Sequence, residues 1–349
     1  MKHSVTTMGL DIAKHSFYVV GTDGQRREVL KRKLTRAQVL EFFVNLPPAA
    51  IGIEACAGAH HWARKLNAMG HDARLIAGQH VSRRVVGNKN DYRDGKVICE
   101  LRGNPETNYV PINSEQQQDI QMLHRARARL VSNRTALLLQ IRGLLGEYGV
   151  VFAQGVAALR KGLAEVLGGE HVNLSPSALE TFCDLQEQWL DLDARVRRFD
   201  ARIRRLAEQD ETATRIMALP GVGALTSTAL IASLGDARHF RAGRDYAANL
   251  GLTPREFSTG GKQRLFGISK RGDRYLRTLL IHGARSALRC AEGKPDRLLQ
   301  WALRLKEAKG FNVAACALAN KLARVAWALI AHGRTYQAQW NDSTATAAG

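Results

Sequence analysis

Cysteine is scarce and scattered in this 349-residue chain: Cys56, Cys99, Cys183, Cys290 and Cys316 form no CxxC pair. An odd number of isolated thiols argues against a structural zinc site and a disulfide framework, and fits a reducing compartment. Aromatic residues make up only 6%, which argues against nucleic-acid recognition dominated by base stacking. No apolar run approaches the roughly 20 residues that a membrane span requires. The opening Met-Lys-His-Ser-Val lacks the apolar core of a signal peptide. Negative charge is also in deficit, with 32 Asp and Glu against 51 Lys and Arg, for a net charge of +19. Charge of that size points to a polyanionic partner, nucleic acid first, without separating DNA from RNA. Hydrophobic residues at 45% suffice for real cores, and the length suits two or three domains. The expectation is a cytoplasmic, nucleic-acid-facing protein with no membrane segment.

The chain reads as three blocks and a tail. Residues 1–112 alternate strand and helix patterns: strands at Thr6–Ala13, 16–21, 50–54 and 73–77, and helices at 34–46 and 60–69. Such interleaving predicts an α/β sandwich. Residues 113–212 read as a helical arm. Phe182, Trp189, Val196 and Ile203 recur every seven residues, as do Leu185, Leu192, Phe199 and Leu206, the pattern of a coiled coil. An earlier helix over 115–147 carries Leu123, Leu130, Leu137 and Leu144 in one register. Its other register, Ile120, Arg127, Arg134 and Ile141, is only half apolar. The arm is expected either to fold back as an antiparallel hairpin or to pair with a second chain. Residues 213–335 form a mainly α-helical, strongly basic block, and 336–349 an expected disordered tail.

Four carboxylates in the first block carry the chemistry. Asp11 lies in the first strand, Glu54 closes the apolar run Ile51-Gly-Ile, and Asp91 and Asp94 share one helix face three residues apart. Acids converging at strand ends suit Mg²⁺, which takes oxygen ligands, and two such ions can clamp both oxygens of a phosphoryl transfer. Read singly, each acid has an ordinary use, Asp91 as a helix N-cap and Asp94 as a first-turn charge. Together, in a basic chain, they favour a metal site. His60, His61 and His80 lie near these acids and read as structural; Trp62 and Trp189 read as core.

Gly9-Leu-Asp-Ile-Ala-Lys, Ile53-Glu-Ala-Cys-Ala-Gly and Lys89-Asn-Asp-Tyr-Arg-Asp resemble the three acidic motifs of the DEDD insertion-sequence transposases. The resemblance covers nearly the whole chain, although Tyr92 stands where the family has a small residue and Gly95 replaces a common Ala. It implies a RuvC/RNase H-like first domain, a coiled-coil arm and a mainly α-helical C-terminal transposase domain. It also implies a Mg²⁺ site of two ions at Asp11, Glu54, Asp91 and Asp94. Donor and target DNA, a guide RNA and a homo-oligomer, dimer or tetramer, are the implied partners.

In the third block, Leu219-Pro-Gly-Val-Gly223 resembles a helix-hairpin-helix turn, in which Gly221 and Gly223 let backbone N–H groups approach a phosphate. A plain corner between helices reads equally well. The stretch from Phe257 to Arg277 combines hydroxyls, glycines and cations, with Lys262, Arg264, Lys270, Arg271 and Arg274 as phosphate contacts. The family resemblance implies a serine nucleophile here, joined to DNA as phosphoserine. Counting back from Ser269-Lys270 gives Ser258; aligning on Gly260 gives Thr259; the less hindered primary hydroxyl favours Ser258. No His–Asp relay stands in its own segment, so its activation is expected from the metal site. Ser269 reads as a helix N-cap. The expected function is a transposase or site-specific recombinase of an insertion element. The alternatives are a metal-dependent junction endonuclease using water, and a non-enzymatic nucleic-acid-binding protein.

Overall fold

The computed structural model describes residues 5–84 and 90–339. Two compact units meet in sequence at Gln116 and Gln117. The first is built on a six-stranded sheet: β1 (Thr7–Ile12), β2 (Ser16–Thr22), β3 (Glu28–Thr35), β4 (Ala50–Glu54), β5 (Asp72–Ile76) and β6 (Tyr109–Val110). Its order is β3-β2-β1-β4-β5-β6. The first three strands form an antiparallel meander, β1, β4 and β5 run parallel, and β6 returns antiparallel. Helices α1 (Gln38–Val44), α2 (Ala59–Ala68), α3 (Gly78–Ser82) and α4 (Asp91–Arg102) complete the unit.

The strands expected at 6–13, 16–21, 50–54 and 73–77 are β1, β2, β4 and β5. The helix expected from 34 begins only at 38, because 28–35 forms β3. That segment, Glu-Val-Leu-Lys-Arg-Lys-Leu-Thr, is an edge strand whose only buried residue is Leu34, and its lysines blunt the open edge. Its two-residue alternation is therefore hidden under charge.

Strand residues alternate between faces. Met8, Leu10, Ile51 and Ile53 point into the core with Trp62 and Leu66 of α2. Gly9 and Gly52 point the other way and are direct partners in the β1–β4 register. Helix α4 lies on that glycine pair. A Cβ on Gly9 would fall 2.0 Å from the Gly95 carbonyl oxygen, and one on Gly52 2.9 Å from the Ile98 oxygen. Gly95 is less constrained, since its Cβ would meet Val20 at 3.3 Å.

The second unit starts along α5 (Glu115–Glu147), followed by α6 (Val156–Leu167) and α7 (Pro176–Gln209). Ser175 caps α7 by accepting from the Ala178 N–H at 3.2 Å, with Pro176 in the first turn. The antiparallel fold-back is the arrangement observed. Phe182, Trp189 and Leu192 share one cluster with Leu137, Ile141 and Leu145 of α5 and with Leu159, Leu163 and Val166 of α6. The half-apolar register finds its reason here: Arg127 pairs with Asp200, and Arg134 with Asp193, which Arg160 also holds.

Beyond the arm come α8 (Glu211–Met217), α9 (Ala224–Leu234), α10 (Gly243–Asn249), a two-stranded ribbon of β7 (Pro254–Glu256) and β8 (Leu265–Ile268), α11 (Arg274–Arg289), α12 (Arg297–Lys309) and α13 (Phe311–His332). Helix α13 is long and apolar enough by composition to cross a membrane, yet half of it is buried within this unit, where Ala314, Leu318, Leu322 and Ala326 form core. Past α13, the Tyr336 hydroxyl donates to Asp296 at 2.8 Å and the Arg297 N–H to the Ala338 carbonyl at 3.0 Å. The remainder of the expected tail, from 340, lies outside the described residues.

His124 of α5 is 3% exposed and sits between Tyr275 and Thr228, with 3.0 Å to each hydroxyl. Thr228 spends its own proton on the Ala224 carbonyl at 2.7 Å. The network therefore assigns the ring proton to Nε2 and leaves Nδ1 accepting from Tyr275. Burial pushes the pKa of His124 down to about 4.

Two outcomes follow from this packing. Gly9→Ala should destabilise the fold by at least the roughly 1–3 kcal/mol of an overpacked core, whereas Gly95→Ala should be tolerated; thermal melts of both variants check this. His124 stays neutral in the fold while the unfolded chain protonates near 6.5. Its contribution is therefore fully present above pH 6.5 and is lost as pH falls toward 4, by roughly 3 kcal/mol at most. Urea melts between pH 4 and 7 should show a slope in wild type that is shallower in His124→Gln.

Candidate active site

Asp11 follows Gly9 by two residues on β1, and Glu54 follows Gly52 by two on β4, so both acids project from the face that carries α4. Helix α4 brings Asp91 and Asp94 in its first turn. Its N-cap is Asn90, whose side chain accepts from the Tyr92 N–H at 3.0 Å, so Asp91 is not the cap its position suggested. Tyr92 anchors that turn. Its ring packs edge-on against Tyr18 at 4.9 Å, and the Lys31 ammonium lies 4.5 Å above it. Lys89, which opens the third acidic motif, lies outside the described residues.

Ligand oxygens of Asp11, Asp91 and Asp94 all lie within 4.8 Å of one another. Glu54 stands outside that trio, with Oε1 against Gly78, where a Cβ would approach it to 2.5 Å. Its charge still reaches Asp11. Burial, then the charges of Asp94, Asp91 and Glu54, push the pKa of Asp11 up to about 6. Crowded carboxylates of this kind match the all-oxygen donor set that a hard divalent cation takes. His60 is used structurally, accepting from the Asn113 N–H at 3.1 Å. Trp62 and Trp189 are core, 4% and 1% exposed.

The serine segment is an ordered ribbon rather than a slack loop. Thr259 and Lys262 bridge around Gly260 and Gly261, whose φ values of 57° and 74° make a type I′ turn. Arg277 is buried and donates to the Leu250 and Arg271 carbonyls at 2.9 and 3.0 Å, tying down the base of the ribbon. Ser258 Oγ donates to Glu256 Oε1 at 2.6 Å and accepts from the Arg264 N–H at 3.3 Å. Gln263 also donates to Glu256 at 3.3 Å, and the Ser258 hydroxyl and this amide hold the Glu256 carboxyl below its usual range. Glu256 was missed in the sequence. Its signal is the i, i+2 spacing that puts two residues of an extended segment on one face.

Lys262, Arg264, Lys270, Arg271 and Arg274 are all exposed, and so are Phe257 and Phe266 beside them. Asp273, not Ser269, caps α11, accepting from the Tyr275 and Leu276 N–H groups at 2.8 and 3.1 Å. Ser269 instead accepts from the Arg271 N–H at 3.5 Å. At the turn between α8 and α9, Gly221 meets Gly283 of α11, where a Cβ would fall 2.2 Å from the carbonyl oxygen. Gly223, at the N-terminus of α9, has open space around it.

Known proteins resemble this chain along most of its length. Residues 213–299 match the family described as transposase IS116/IS110/IS902, and residues 8–150 match a DEDD transposase family of IS110 type. A probable family 20 transposase of Pseudomonas aeruginosa is 45% identical, over 96% of this chain and 99% of its own. The transposase for insertion sequence element IS1111A of Coxiella burnetii is 39% identical over 95% and 92%, respectively. That for element IS1328 of Yersinia enterocolitica is 36% identical over 95% and 99%.

The carboxylate cluster makes a prediction in two parts. With no metal added, Asp11→Asn should become more stable relative to wild type as pH rises from about 4 to 6, because ionising Asp11 works against the fold over that interval. Asp94→Ala should weaken Mn²⁺ binding measured by calorimetry while leaving the circular dichroism unchanged. Unaltered Mn²⁺ affinity in both variants would remove the metal-site assignment.

Proposed function

The chain belongs to the IS116/IS110/IS902 family of insertion-element transposases and is a DNA transposase, and from that premise we propose that it cuts and rejoins DNA through a covalent phosphoserine at Ser258. The observation that carries this reading is the convergence of Asp11, Asp91 and Asp94 within 4.8 Å, with Glu54 acting on the same group. Divalent metal use is general to DEDD transposases, and these oxygen donors fit Mg²⁺, two ions in the proposal. Bound there, the metal would supply charge neutralisation for a phosphodiester and favour the ionised form of an attacking hydroxyl. Asp11, Glu54, Asp91 and Asp94 would hold it.

Ser258 is the nucleophile in this reading because its hydroxyl already hydrogen-bonds a carboxylate. Its oxygen forms a bond to phosphorus while the Oγ proton passes to Glu256. The bond from phosphorus to the leaving DNA oxygen breaks, and that oxygen departs as a hydroxyl after taking a proton from water. Attack by a new DNA hydroxyl on the phosphoserine reverses the step and conserves the ester. Thr259 is the alternative nucleophile. The exposed cations Lys262, Arg264, Lys270, Arg271 and Arg274 grip phosphates, with the α8–α9 turn at Gly221 and Gly223 as a further contact. A guide RNA and self-association into a dimer or tetramer complete the proposal on the strength of the resemblance; sequencing RNA that co-purifies with the protein tests the former.

Wild type, Ser258→Ala and Thr259→Ala incubated with radiolabelled target DNA and Mg²⁺ should separate on a denaturing gel. An adduct is expected in wild type and Thr259→Ala and not in Ser258→Ala. The opposite pattern moves the nucleophile by one residue, and cleaved DNA without adduct in all three hands the reaction to a water-activating nuclease. Glu256→Gln should slow adduct formation on the order of a hundredfold, as loss of a general base does. Replacing Lys270 and Arg271 together by Gln should flatten the log–log salt dependence of duplex binding by about two units, each phosphate contact contributing roughly −0.9.

A further inference from the structure

The second unit carries an open cleft of about 730 Å³ where α10, α12, α13 and residues 334–338 meet. None of the carboxylates or ribbon residues described above lines it. Its walls include the rings of Trp301, Trp327 and Tyr336. The Trp327 indole is held in place by donating to the Ala237 carbonyl at 3.0 Å, and the Tyr336 hydroxyl by donating to Asp296 at 2.8 Å. Arg244, Arg297, Lys321, Arg324 and Arg334 also line the cleft, and no Asp or Glu does. The nearby carboxylates are already engaged. Asp296 accepts from the Leu299 N–H and from Tyr336, and Asp245 faces Arg244 at 3.9 Å. Gly243 permits the close seat of α10 on α13, since a Cβ there would fall 2.7 Å from the Arg324 carbonyl oxygen.

The lining specifies its ligand. The Lys321 ammonium lies 5.6 Å from the centre of the Trp301 ring, so cation and aromatic ring share one wall; the rings suit a flat, apolar group, and cations without acids suit an anion attached to it. A free phosphate would leave the rings unused, and an acyl chain would leave the cations unused. A cleft of this size falls in the range of small-molecule sites, far larger than one phosphate. Two of the five tryptophans in a chain with 6% aromatics are gathered here. Paired, stacked bases hide their faces, so a base that reaches these rings has left its stack. We propose that this cleft takes an unstacked nucleotide of a single strand, its base against Trp301, Trp327 and Tyr336 and its phosphate on Arg244 and Arg324. The site goes beyond the strand-transfer chemistry and needs neither Ser258 nor Mg²⁺, so the two readings fail independently.

Anisotropy of labelled ten-nucleotide strands, without divalent metal, tests it on the full chain. The strands are oligo-dT, oligo-U and an abasic strand of equal charge. Trp301→Leu should weaken binding of base-bearing strands by about 5- to 150-fold, the range for one lost stack, and leave the abasic strand unaffected. Trp301→Phe should recover most of the loss, and Arg324→Gln should weaken all three strands. An effect confined to oligo-U or to oligo-dT supports the site and identifies its strand. Equal changes on all strands in Trp301→Leu, or none, overturn it. In wild type, a strand carrying 5-iodouracil should photo-cross-link to the peptides containing Trp301, Trp327 or Tyr336; cross-links confined to other peptides overturn the proposal without relying on any variant.

Discussion

Helix α4 reaches the sheet where positions 9 and 52 carry no side chain. The two glycines face each other across β1 and β4, and the helix backbone occupies space that a Cβ would fill. The depth of that seat fixes how near Asp91 and Asp94 come to Asp11, because both acids stand in the first turn of α4. The two-residue period of the strands then does the rest. The same face that is bare at Gly9 and Gly52 carries Asp11 and Glu54 one pleat further on. Seat and acids are thus one feature of two adjacent strands.

The two proposed chemical sites follow different physical rules. The carboxylates crowd on a partly buried face, and burial first, then their mutual repulsion, raises the pKa of Asp11. The ribbon is exposed except at its foot, where Ile268 packs against the core, and its order comes from its turn and its base. Gly260 and Gly261 set the twist, Arg277 holds the carbonyls at its foot, and Ser258, Glu256, Gln263 and Arg264 hydrogen-bond across it. A buried site draws on packing for its geometry; an exposed ribbon draws on local hydrogen bonds.

How far the sequence revealed this depends on the range of each interaction. Strands β1, β2, β4 and β5 announce themselves by apolar runs and alternation, and the acids by their place at strand ends. Strand β3 does not, because an edge strand with one buried residue has little pattern to show. The arginines at 127 and 134 interrupt a heptad register that is explained only by Asp200 and Asp193 on a helix far away in sequence. Glu256 was within reach, since its partner is two residues away, but a search for histidine relays passes over a lone glutamate. The aromatic cleft was not legible at all. A low overall aromatic fraction says nothing of where those rings gather, and Trp301, Trp327 and Tyr336 come together only through the packing of α12, α13 and the segment after them.

The paired charges of the arm also bear on how such chains can diverge. Arg127 and Arg134 are seven residues apart on α5, as Asp193 and Asp200 are on α7, and the two ladders run in opposite directions. Slipping one helix by a heptad would leave Arg134 opposite Asp200 and would strand Arg127 and the buried Asp193 without each other's partners. Slips of any other length would also turn the apolar seam away from its core. The two ion pairs and the apolar seam together therefore admit one register of α5 against α7, and a one-residue insertion in either helix between the paired positions would break it.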